Sequence, residues 1–506
     1  MSRSPRKKPN VLIIMSDQHN ANIMGCAGDS IARTPTMDGL ASRGVLFTNA
    51  YCSFPLCAPS RMSFMTCRQP HEIALWDNQG ELSSGIPTFA HAFLDAGYQT
   101  ILSGRMHFVG WDQRHGFGRR LIGDVGGTAY LSNGWRLEPV LGSLIDTPGM
   151  SLAGVVKSGP GRTGYQAYDE AVTRATVSWI EQRRREHDDQ PFMLTVGYVS
   201  PHCPFVSPPE DFAHYASLIN PEDLPSPDTE IHPVNADRRR RFQTDPVPAR
   251  DAQWRARAAY YGLCTFTDRQ IEGVLSALTD AGLADDTIVV YTSDHGEMLG
   301  EHGMWWKSTF YDGASKVPLI ISWPGEITGG TVVDSNVSLI DIGTTLIELA
   351  GVDPLPGATG RSMRELLKGD SGDWDDTVFA EYTAARHESA SRMVRRGPWK
   401  YNYYHDSRPE LFNLEDDPRE RNDLFDDPAA ADVRQRLHEL VLRDWDPDYV
   451  VECMRRCDRE RELIGAWVQA VSPPEPDAPW FDTPPENWVD NRARGPADVN
   501  QGDSVC

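Results

Sequence analysis

The chain has 506 residues, of which 40% are hydrophobic and 24% are charged. That apolar fraction is ordinary for a folded chain and excludes wholesale disorder. The length fits about two to four domain-sized units, or one large domain with a smaller one. Acidic residues outnumber basic residues and give a formal net charge of −23. A fold-wide basic face for nucleic acid is therefore not expected, although a local cationic pocket is compatible with this charge.

Neither a targeting segment nor a membrane span is predicted. The apolar run nearest the N-terminus, residues 11–15, is too short for the core of a signal peptide. No stretch of about 18 apolar residues occurs. The nine cysteines show no framework of paired spacings, and Cys453 and Cys457 have no second pair to complete a zinc site. Scattered thiols in such a chain predict a reduced, cytoplasmic protein.

Short apolar runs alternate with helical patterns along the chain. The runs are residues 11–15, 192–198, 287–292 and 317–322, each rich in the residue types of strands buried in a parallel sheet. Apolar residues recur at helical spacing over residues 168–179 and 271–278. The alternation predicts an α/β fold with a doubly wound, mostly parallel central sheet flanked by helices. Ligands of such sheets bind beyond the carboxyl ends of the strands.

Acidic residues follow two of the predicted strands. Asp17 comes after the first run, and Asp294 with His295 comes after the run at residues 287–292. If the two strands are neighbours, these side chains converge on one point. Two carboxylates brought together cost free energy unless a cation or a proton compensates them. The sequence therefore predicts a divalent metal site at this edge of the sheet.

The sequence pattern changes after about residue 351, where prolines and glycines mark a linker. Residues 379–382, 391–395 and 399–404 have the pattern of short antiparallel strands, which residues 410–414 continue, and residues 431–445 have that of a helix. We predict an α/β domain over residues 1–352, a smaller α+β domain with an antiparallel sheet over residues 353–471, and a proline-rich tail over residues 472–506. Isolated aromatic residues in the tail favour packing on a neighbouring subunit, and hence a homo-oligomer.

The stretch Cys57-Ala58-Pro59-Ser60-Arg61 carries the most chemical information. Proline suits the first turn of a helix, so Cys57 is expected at a helix N-terminus, where the backbone N–H groups favour an anion. The stretch resembles the sulfatase signature Cys-x-Pro-Ser-Arg, within the alkaline-phosphatase-like superfamily. In that family the cysteine is converted to formylglycine, whose hydrated aldehyde is the nucleophile. One oxygen of the hydrate attacks sulfur, and the other later expels the sulfate.

Further elements of the sulfatase pattern follow in the order that the family has them. They are residues 9–17, residues 34–51, Ser103-Gly104-Arg105-Met106-His107, Pro201-His202-Cys203-Pro204-Phe205, Ser293-Asp294-His295-Gly296, Lys307 and residues 410–424. Each element is weak alone, and their number and order carry the resemblance. The resemblance extends from about residue 10 to about residue 423 and so covers most of the chain.

Carried over residue by residue, the resemblance implies one divalent metal ion. Asp17, Asp294 and His295 bind the ion, together with an oxygen on modified Cys57. Arg61 holds the modified side chain. A formylglycine-generating enzyme is the partner that this maturation requires.

The resemblance also implies a group of residues around the sulfuryl group: Arg105, His107, His202 and Lys307. Lys307 and His202 offset the charge on the leaving oxygen, with His202 as a candidate general acid. His107 is a candidate base for breaking the sulfated nucleophile. Asn78 is expected to reach the sulfate in the subgroup that contains choline sulfatase.

Two departures from the family pattern affect the expected metal. Gln18 stands where the family often has a second aspartate, and His295 stands where it often has an asparagine. An imidazole ligand moves the preference away from a pure oxygen-ligand calcium site. We expect Mn²⁺ or Ca²⁺, with Zn²⁺ as a further candidate. Both departures resemble the branch of choline sulfatases, phosphonate monoester hydrolases and bacterial arylsulfatases, and Trp135 is a candidate cation–π face for a quaternary ammonium group.

The sequence thus predicts a sulfuric ester hydrolase of the arylsulfatase or alkyl sulfatase type, acting on a small-molecule sulfate ester. Alternatives stay open at this point. The same machinery serves phosphonate monoesters or phosphodiesters, or a choline-sulfatase-like substrate. A binding protein that keeps the fold without the aldehyde is a further alternative. A two-metal enzyme with a serine or threonine nucleophile is disfavoured, because a second set of ligands is missing from the sequence.

Overall fold

The computed structural model describes residues 8–110, 112–124, 150–228, 230–383 and 389–471. The strands are β1 (Asn10–Asp17), β2 (Val45–Tyr51), β3 (Gln99–Gly104), β4 (Arg119–Arg120), β5 (Gly159–Pro160), β6 (Phe192–Pro201), β7 (Val206–Ser207), β8 (Thr287–Ser293), β9 (Lys316–Ser322), β10 (Thr331–Val333), β11 (Val337–Ser338), β12 (Thr377–Thr383), β13 (Ala390–Arg396), β14 (Trp399–Tyr404) and β15 (Ser407–Asn413). The helices are α1 (Pro35–Ser42), α2 (Cys57–Thr66), α3 (Pro70–Ile73), α4 (Phe89–Asp95), α5 (Leu152–Val156), α6 (Gly164–Glu186), α7 (Pro209–Leu218), α8 (Pro233–Arg241), α9 (Arg250–Asp280), α10 (Asp312–Ser315), α11 (Leu339–Ala350), α12 (Ala431–Val441) and α13 (Pro447–Val471).

Strand β1 lies inside a large mixed sheet with the strand order β10-β2-β9-β8-β1-β6-β3-β4, and β11 pairs with the end of β2. Both neighbours of β1, the strands β6 and β8, run parallel to it. The predicted mostly parallel central sheet is therefore confirmed. The predicted parallel direction of residues 317–322 is wrong, because β9 runs antiparallel to both β8 and β2. The chain between β8 and β9 has short helical turns in place of a long crossover helix, so β9 returns in the opposite direction.

Helices cover both faces of the central sheet. Alternate residues of a strand point to opposite faces, and in β1 the two sets enter two separate cores. Val11, Ile13 and Met15 pack with residues of α2, α4 and α11. Leu12 and Ile14 pack with residues of α6 and α9 on the other face. All of β1 is buried, which explains why its sequence is a continuous apolar run.

The C-terminal part forms an antiparallel sheet in the order β12-β13-β14-β15, as predicted. Helix α12 packs against β13 and β14. The predicted helix at residues 431–445 ends earlier, at Val441, and a second helix, α13, begins at Pro447. Proline disfavours helical backbone at the residue before it, so α12 does not continue through Asp446 into α13. The boundary after residue 352 stays a prediction, and the predicted tail lies outside the described residues.

None of the helices in the described ranges combines the length and the apolar character that crossing a bilayer requires.

A histidine–carboxylate pair joins helix α3 to the C-terminal sheet. His71 in α3 lies 2.5 Å, from Nδ1 to Oε1, from Glu381 in β12, and the Glu381 side chain is 1% exposed. Glu381 also accepts a hydrogen bond from the indole N–H of Trp76. Burial lowers the pKa of His71, but its hydrogen bond to Glu381 and the charge of that carboxylate outweigh burial and raise it above its ordinary value.

A pKa raised by folding makes the contact between α3 and the C-terminal sheet sensitive to pH. The stabilisation from protonated His71 is fully present below the unfolded-state pKa of about 6.5 and is lost as the pH rises through the folded-state pKa. We expect the stability advantage of the wild type over His71→Gln to shrink as the pH rises from below about 6.5 to well above it. Thermal unfolding midpoints across this range measure it. His187→Gln, at an exposed histidine, should keep the wild-type pH profile, and parallel profiles for wild type and His71→Gln would contradict the assignment.

Candidate active site

Two neighbouring parallel strands bring Asp17 and Asp294 together. Strands β1 and β8 pair in register up to Ser16 and Ser293, so the residues that follow them reach the same edge of the sheet. Both aspartates are fully buried. The backbone N–H of Gln18 donates to Asp294 Oδ1 at 3.1 Å. This confirms the predicted convergence at the carboxyl ends of the strands.

Cys57 is the first residue of helix α2 and is 1% exposed. Its Sγ atom lies 3.2 Å from His295 Nε2 and 3.7 Å from Asp17 Oδ1. The next backbone N–H, of Ala58, donates to Asn78 Oδ1 at 2.9 Å. Asn78 therefore holds the start of the helix that carries Cys57, and its predicted contact with sulfate stays a prediction. A helix N-terminus favours negative charge, which suits an anionic nucleophile or substrate there.

Four side chains form a cluster that suits one metal ion. The ligand atoms of Asp17, Cys57, Asp294 and His295 all lie within 4.8 Å of one another. His295 Nδ1 lies 3.0 Å from the carbonyl oxygen of Gly296, which directs Nε2 to the cluster. Burial lowers the pKa of His295 to about 4, so the ring is neutral and able to bind a metal. Two carboxylates, an imidazole and an oxygen derived from Cys57 are a donor set for Mn²⁺, Ca²⁺ or Zn²⁺.

Two buried arginines compensate the carboxylates. Arg61 donates from Nε to Asp294 Oδ2 at 2.8 Å and from Nη2 to Asp17 Oδ2 at 3.2 Å. Arg105 donates from Nε to the same Asp17 oxygen at 2.5 Å. Burial alone would raise the pKa of Asp17, but nearby positive charge, led by Arg105, holds it well below its ordinary value. Arg61, predicted to hold the modified side chain, thus joins the two aspartates among the predicted metal ligands.

Lys307 and His202 border Cys57 on another side. The Lys307 ammonium group lies 3.0 Å from Cys57 Sγ and 3.1 Å from His202 Nε2. His202 Nδ1 lies 2.6 Å from the carbonyl oxygen of Cys203, so Nδ1 carries the proton and Nε2 accepts from Lys307. Burial and the charge of Lys307 lower the pKa of His202. In this arrangement Lys307 holds the proton and His202 is neutral.

His107 lies beside Arg105, with its Nδ1 atom 3.1 Å from Arg105 Nη2. Burial, and after it the charge of Arg105, lowers the pKa of His107 well below its ordinary value, which leaves a neutral ring able to accept a proton. Sequence reasoning missed Asp124, whose Oδ2 accepts the backbone N–H groups of Met106 (3.0 Å) and His107 (2.5 Å). Asp124 follows β4 and bonds to the chain after β3, a contact that no local motif predicts.

Sequence reasoning also gave no role to Glu297. This residue is fully buried and accepts a hydrogen bond from the Gln18 side chain. Burial raises the pKa of Glu297 to about 7. The only signal in the sequence is its place two residues after His295. The structure brings every predicted catalytic and metal-binding residue into one buried site, whereas Trp135 lies outside the described residues.

Comparisons with known proteins agree with this geometry. The sulfatase family model matches residues 9–352, and the model of the C-terminal region of N-sulphoglucosamine sulphohydrolase matches residues 300–445. The choline-sulfatase of Rhizobium meliloti (strain 1021) is 35% identical over 480 residues, covering 90% of this chain and 91% of that protein. Arylsulfatase K of Xenopus laevis is 28% identical over 473 residues, covering 87% of this chain and 82% of that protein.

A solved structure shows the same fold. The phosphonate monoester hydrolase of Agrobacterium radiobacter superposes with a TM-score of 0.72 at 24% identity, covering 86% of this chain and 95% of that one. The central sheet with its flanking helices is thus the alkaline-phosphatase-like fold that the resemblance implies. Because the family model spans well over half of the sequence and a choline-sulfatase is 35% identical over 480 residues, this chain belongs to the sulfatase family.

Proposed function

We propose that this sulfatase hydrolyses small-molecule sulfuric esters with a formylglycine nucleophile made from Cys57 and one divalent metal ion. The observation that carries the proposal is the position of Cys57. Its side chain begins a helix, lies within the cluster of Asp17, Asp294 and His295, and touches Lys307. The Cys57 thiol thus has the carboxylates of Asp17 and Asp294 on one side and the ammonium group of Lys307, a proton donor, on the other.

Formylglycine at position 57 and a divalent metal ion would supply chemistry that the other side chains lack. A hydrated aldehyde supplies a nucleophilic oxygen with a second hydroxyl for release, and a divalent metal polarises the ester and lowers the pKa of the nucleophile. Asp17, Asp294 and His295 would hold the metal. Arg61 keeps both carboxylates oriented, because one guanidinium bonds to each of them.

The remaining cations act on the substrate. Attack in line with the leaving alcohol requires positive charge where negative charge develops. We assign Lys307 to the leaving oxygen, because its ammonium group lies beside Cys57, and we place His202 as its neutral partner. Arg105 would bind a sulfuryl oxygen, and His107, whose depressed pKa keeps it neutral, would accept the proton when the sulfate is released.

The related proteins suggest narrower substrates. A choline-sulfatase is 35% identical to this chain over 480 residues, which favours an alkyl sulfate with a cationic alcohol. The phosphonate monoester hydrolase shares the fold, and tetrahedral sulfur and phosphorus esters differ mainly in charge. A cationic pocket of this kind is therefore suited to both, with the sulfate ester as the proposed main substrate.

We further propose a cytoplasmic location and maturation by a formylglycine-generating enzyme. Each cysteine in the described part of the chain is a free thiol. Burial raises the pKa of Cys26 and of Cys67 to about 12, so these thiols are protonated and unreactive. A chain rich in unpaired thiols is suited to a reducing compartment.

The first test is the nucleophile itself. Conversion of Cys57 to formylglycine lowers the mass of the peptide that contains it by about 18 Da, a change that hydration can mask. We expect tandem mass spectrometry to find this change at Cys57, and Cys57→Ala to lower kcat by about a thousandfold or more. Cys26→Ala, away from the site, should keep both the mass change and the turnover. An unmodified, fully active Cys57 would contradict the proposal.

The second test compares two substrates. We expect kcat/KM for 4-nitrophenyl sulfate to exceed that for 4-nitrophenyl phenylphosphonate by about tenfold or more, since the two leaving groups are identical and only the transferred group differs. A higher kcat/KM for the phosphonate would assign the chain to phosphonate esters.

The third test removes the metal. Activity should disappear after chelation and return with Mn²⁺ or Ca²⁺. Full activity without metal would contradict the role of Asp17, Asp294 and His295.

The helix α13 supports the proposed homo-oligomer. Its C-terminal half exposes apolar side chains along one side, namely Leu463 (73% exposed), Ile464 (45%), Trp467 (45%) and Val471 (56%). Exposed apolar patches of this kind mark interaction surfaces. We propose that a second copy of this chain covers them.

The double variant Leu463→Glu/Trp467→Glu should therefore lower the molar mass measured by light scattering after size-exclusion chromatography. Two buried charges at the interface would cost more free energy than the contact supplies. Gln469→Glu, on the opposite side of α13, should leave the molar mass unchanged. A wild-type monomer, or an oligomer unaffected by the double variant, would contradict this interface.

A further inference from the structure

We propose that Glu297 is a positioning residue, which fixes the side-chain amide of Gln18 so that its carbonyl oxygen holds Lys307 beside the nucleophile. The inference rests on the proposed function in one respect, the role of Lys307 at the leaving oxygen. Glu297 is not among the four residues whose ligand atoms cluster at the predicted metal site. It would act through Gln18, the residue that replaces the second aspartate of the family pattern.

The two oxygens of Glu297 have different partners. Oε1 accepts the backbone N–H groups of Leu299 at 2.7 Å and of Trp306 at 2.8 Å. Oε2 accepts from Gln18 Nε2 at 2.6 Å. These N–H donors fix the buried carboxylate in one orientation, and Trp306 is the residue before Lys307. Glu297 thus holds both the amide that faces Lys307 and the backbone from which Lys307 extends.

The orientation of the Gln18 amide is determined by its neighbours. One end faces Glu297, which offers acceptors, and the other end lies 3.1 Å from the Lys307 ammonium group, which offers only donors. Only one of the two amide orientations satisfies both contacts, because a rotated amide would set oxygen against carboxylate and N–H against ammonium. Burial makes the wrong orientation costly.

The backbone of Gln18 is held by contacts of its own. Its N–H donates to Asp294 Oδ1 at 3.1 Å, and its carbonyl oxygen accepts from the Tyr260 hydroxyl at 2.6 Å. Gln18 adopts a left-handed conformation, with φ of 69°, which a non-glycine residue keeps only when its surroundings hold it. With the backbone fixed, the contacts with Glu297 and Lys307 act on the side chain of Gln18.

The consequence for Lys307 follows from its three N–H donors. They face Gln18 Oε1, Cys57 Sγ and His202 Nε2, at 3.1, 3.0 and 3.1 Å. Each donor has one acceptor, and together the three contacts fix the ammonium group beside Cys57. If Gln18 presented its NH₂ group instead, one acceptor would be lost and a donor would face a cation. Lys307 would then move away, and charge on the leaving oxygen would be less well stabilised.

The substitution Glu297→Gln should reverse the Gln18 amide with little change in the shape of the side chain at position 297. The Oε1 atom of the new side chain is still needed by the two backbone N–H groups, so its NH₂ group must face Gln18. The Gln18 amide then turns to accept, and its own NH₂ group meets Lys307. The double variant Gln18→Glu/Glu297→Gln exchanges carboxylate and amide. Its new carboxylate accepts from residue 297 with one oxygen and from Lys307 with the other, which restores the pattern of donors and acceptors.

The experiment measures kcat/KM on aryl sulfates whose phenol leaving groups span a wide range of pKa, using metal-loaded protein with formylglycine at position 57. For Glu297→Gln we expect a loss of about 10- to 100-fold on phenyl sulfate and a smaller loss on 4-nitrophenyl sulfate, whose leaving group needs less stabilisation. The dependence on leaving-group pKa therefore becomes steeper. The double variant should recover at least about tenfold on phenyl sulfate relative to Glu297→Gln.

Three further readings separate the possible failures. Metal content and thermal unfolding should match the wild type in the Glu297→Gln variant that is assayed, because Glu297 is not among the clustered ligand residues. An equal loss on all substrates, or a double variant no better than the single one, would overturn the positioning role while leaving the proposed function intact. Lys307→Ala should itself steepen the leaving-group dependence, and an unchanged slope there would overturn the proposed role of Lys307 and with it this inference.

Discussion

The site depends on the compensation of two buried carboxylates. Asp17 and Asp294 carry like charges into a part of the protein with no exposed surface, where repulsion is only weakly screened. Arg61 bonds to both and Arg105 bonds to Asp17, so each acid has a fixed partner. An arginine suits this task because its planar group presents several donors in fixed directions. The remaining oxygens of the acids stay directed at the point where Cys57 and His295 also converge.

The topology of the sheet explains why so many distant residues meet at this point. Parallel strands place their carboxyl ends at one edge, and β1, β8 and β6 deliver Asp17, Asp294 and His202 there from three different parts of the sequence. The antiparallel return of β9 adds a different contribution. The chain between β8 and β9 stays near the edge of the sheet, and it carries both Glu297 and Lys307 into the site.

Much of this arrangement could be predicted from the sequence, because the relevant signals are local. A buried strand is a run of apolar residues, and the acid that follows it is its neighbour in the chain, so the positions of Asp17 and Asp294 were predictable. The order of the strands was not needed for this. The direction of β9 was not, since an apolar run specifies burial but not orientation. Glu297 and Asp124 were missed for another reason. Their partners are backbone N–H groups and an amide whose positions exist only once the chain has folded.

The burial of Cys57 has a consequence for how active molecules arise. Cys57 is 1% exposed and its backbone lies in the first turn of α2. In the folded protein its thiol is therefore not accessible to a modifying enzyme. The conversion of Cys57 that we propose would therefore take place before the chain has folded over this residue. Under that proposal, a molecule that folds before conversion would keep its thiol and would lack the nucleophile.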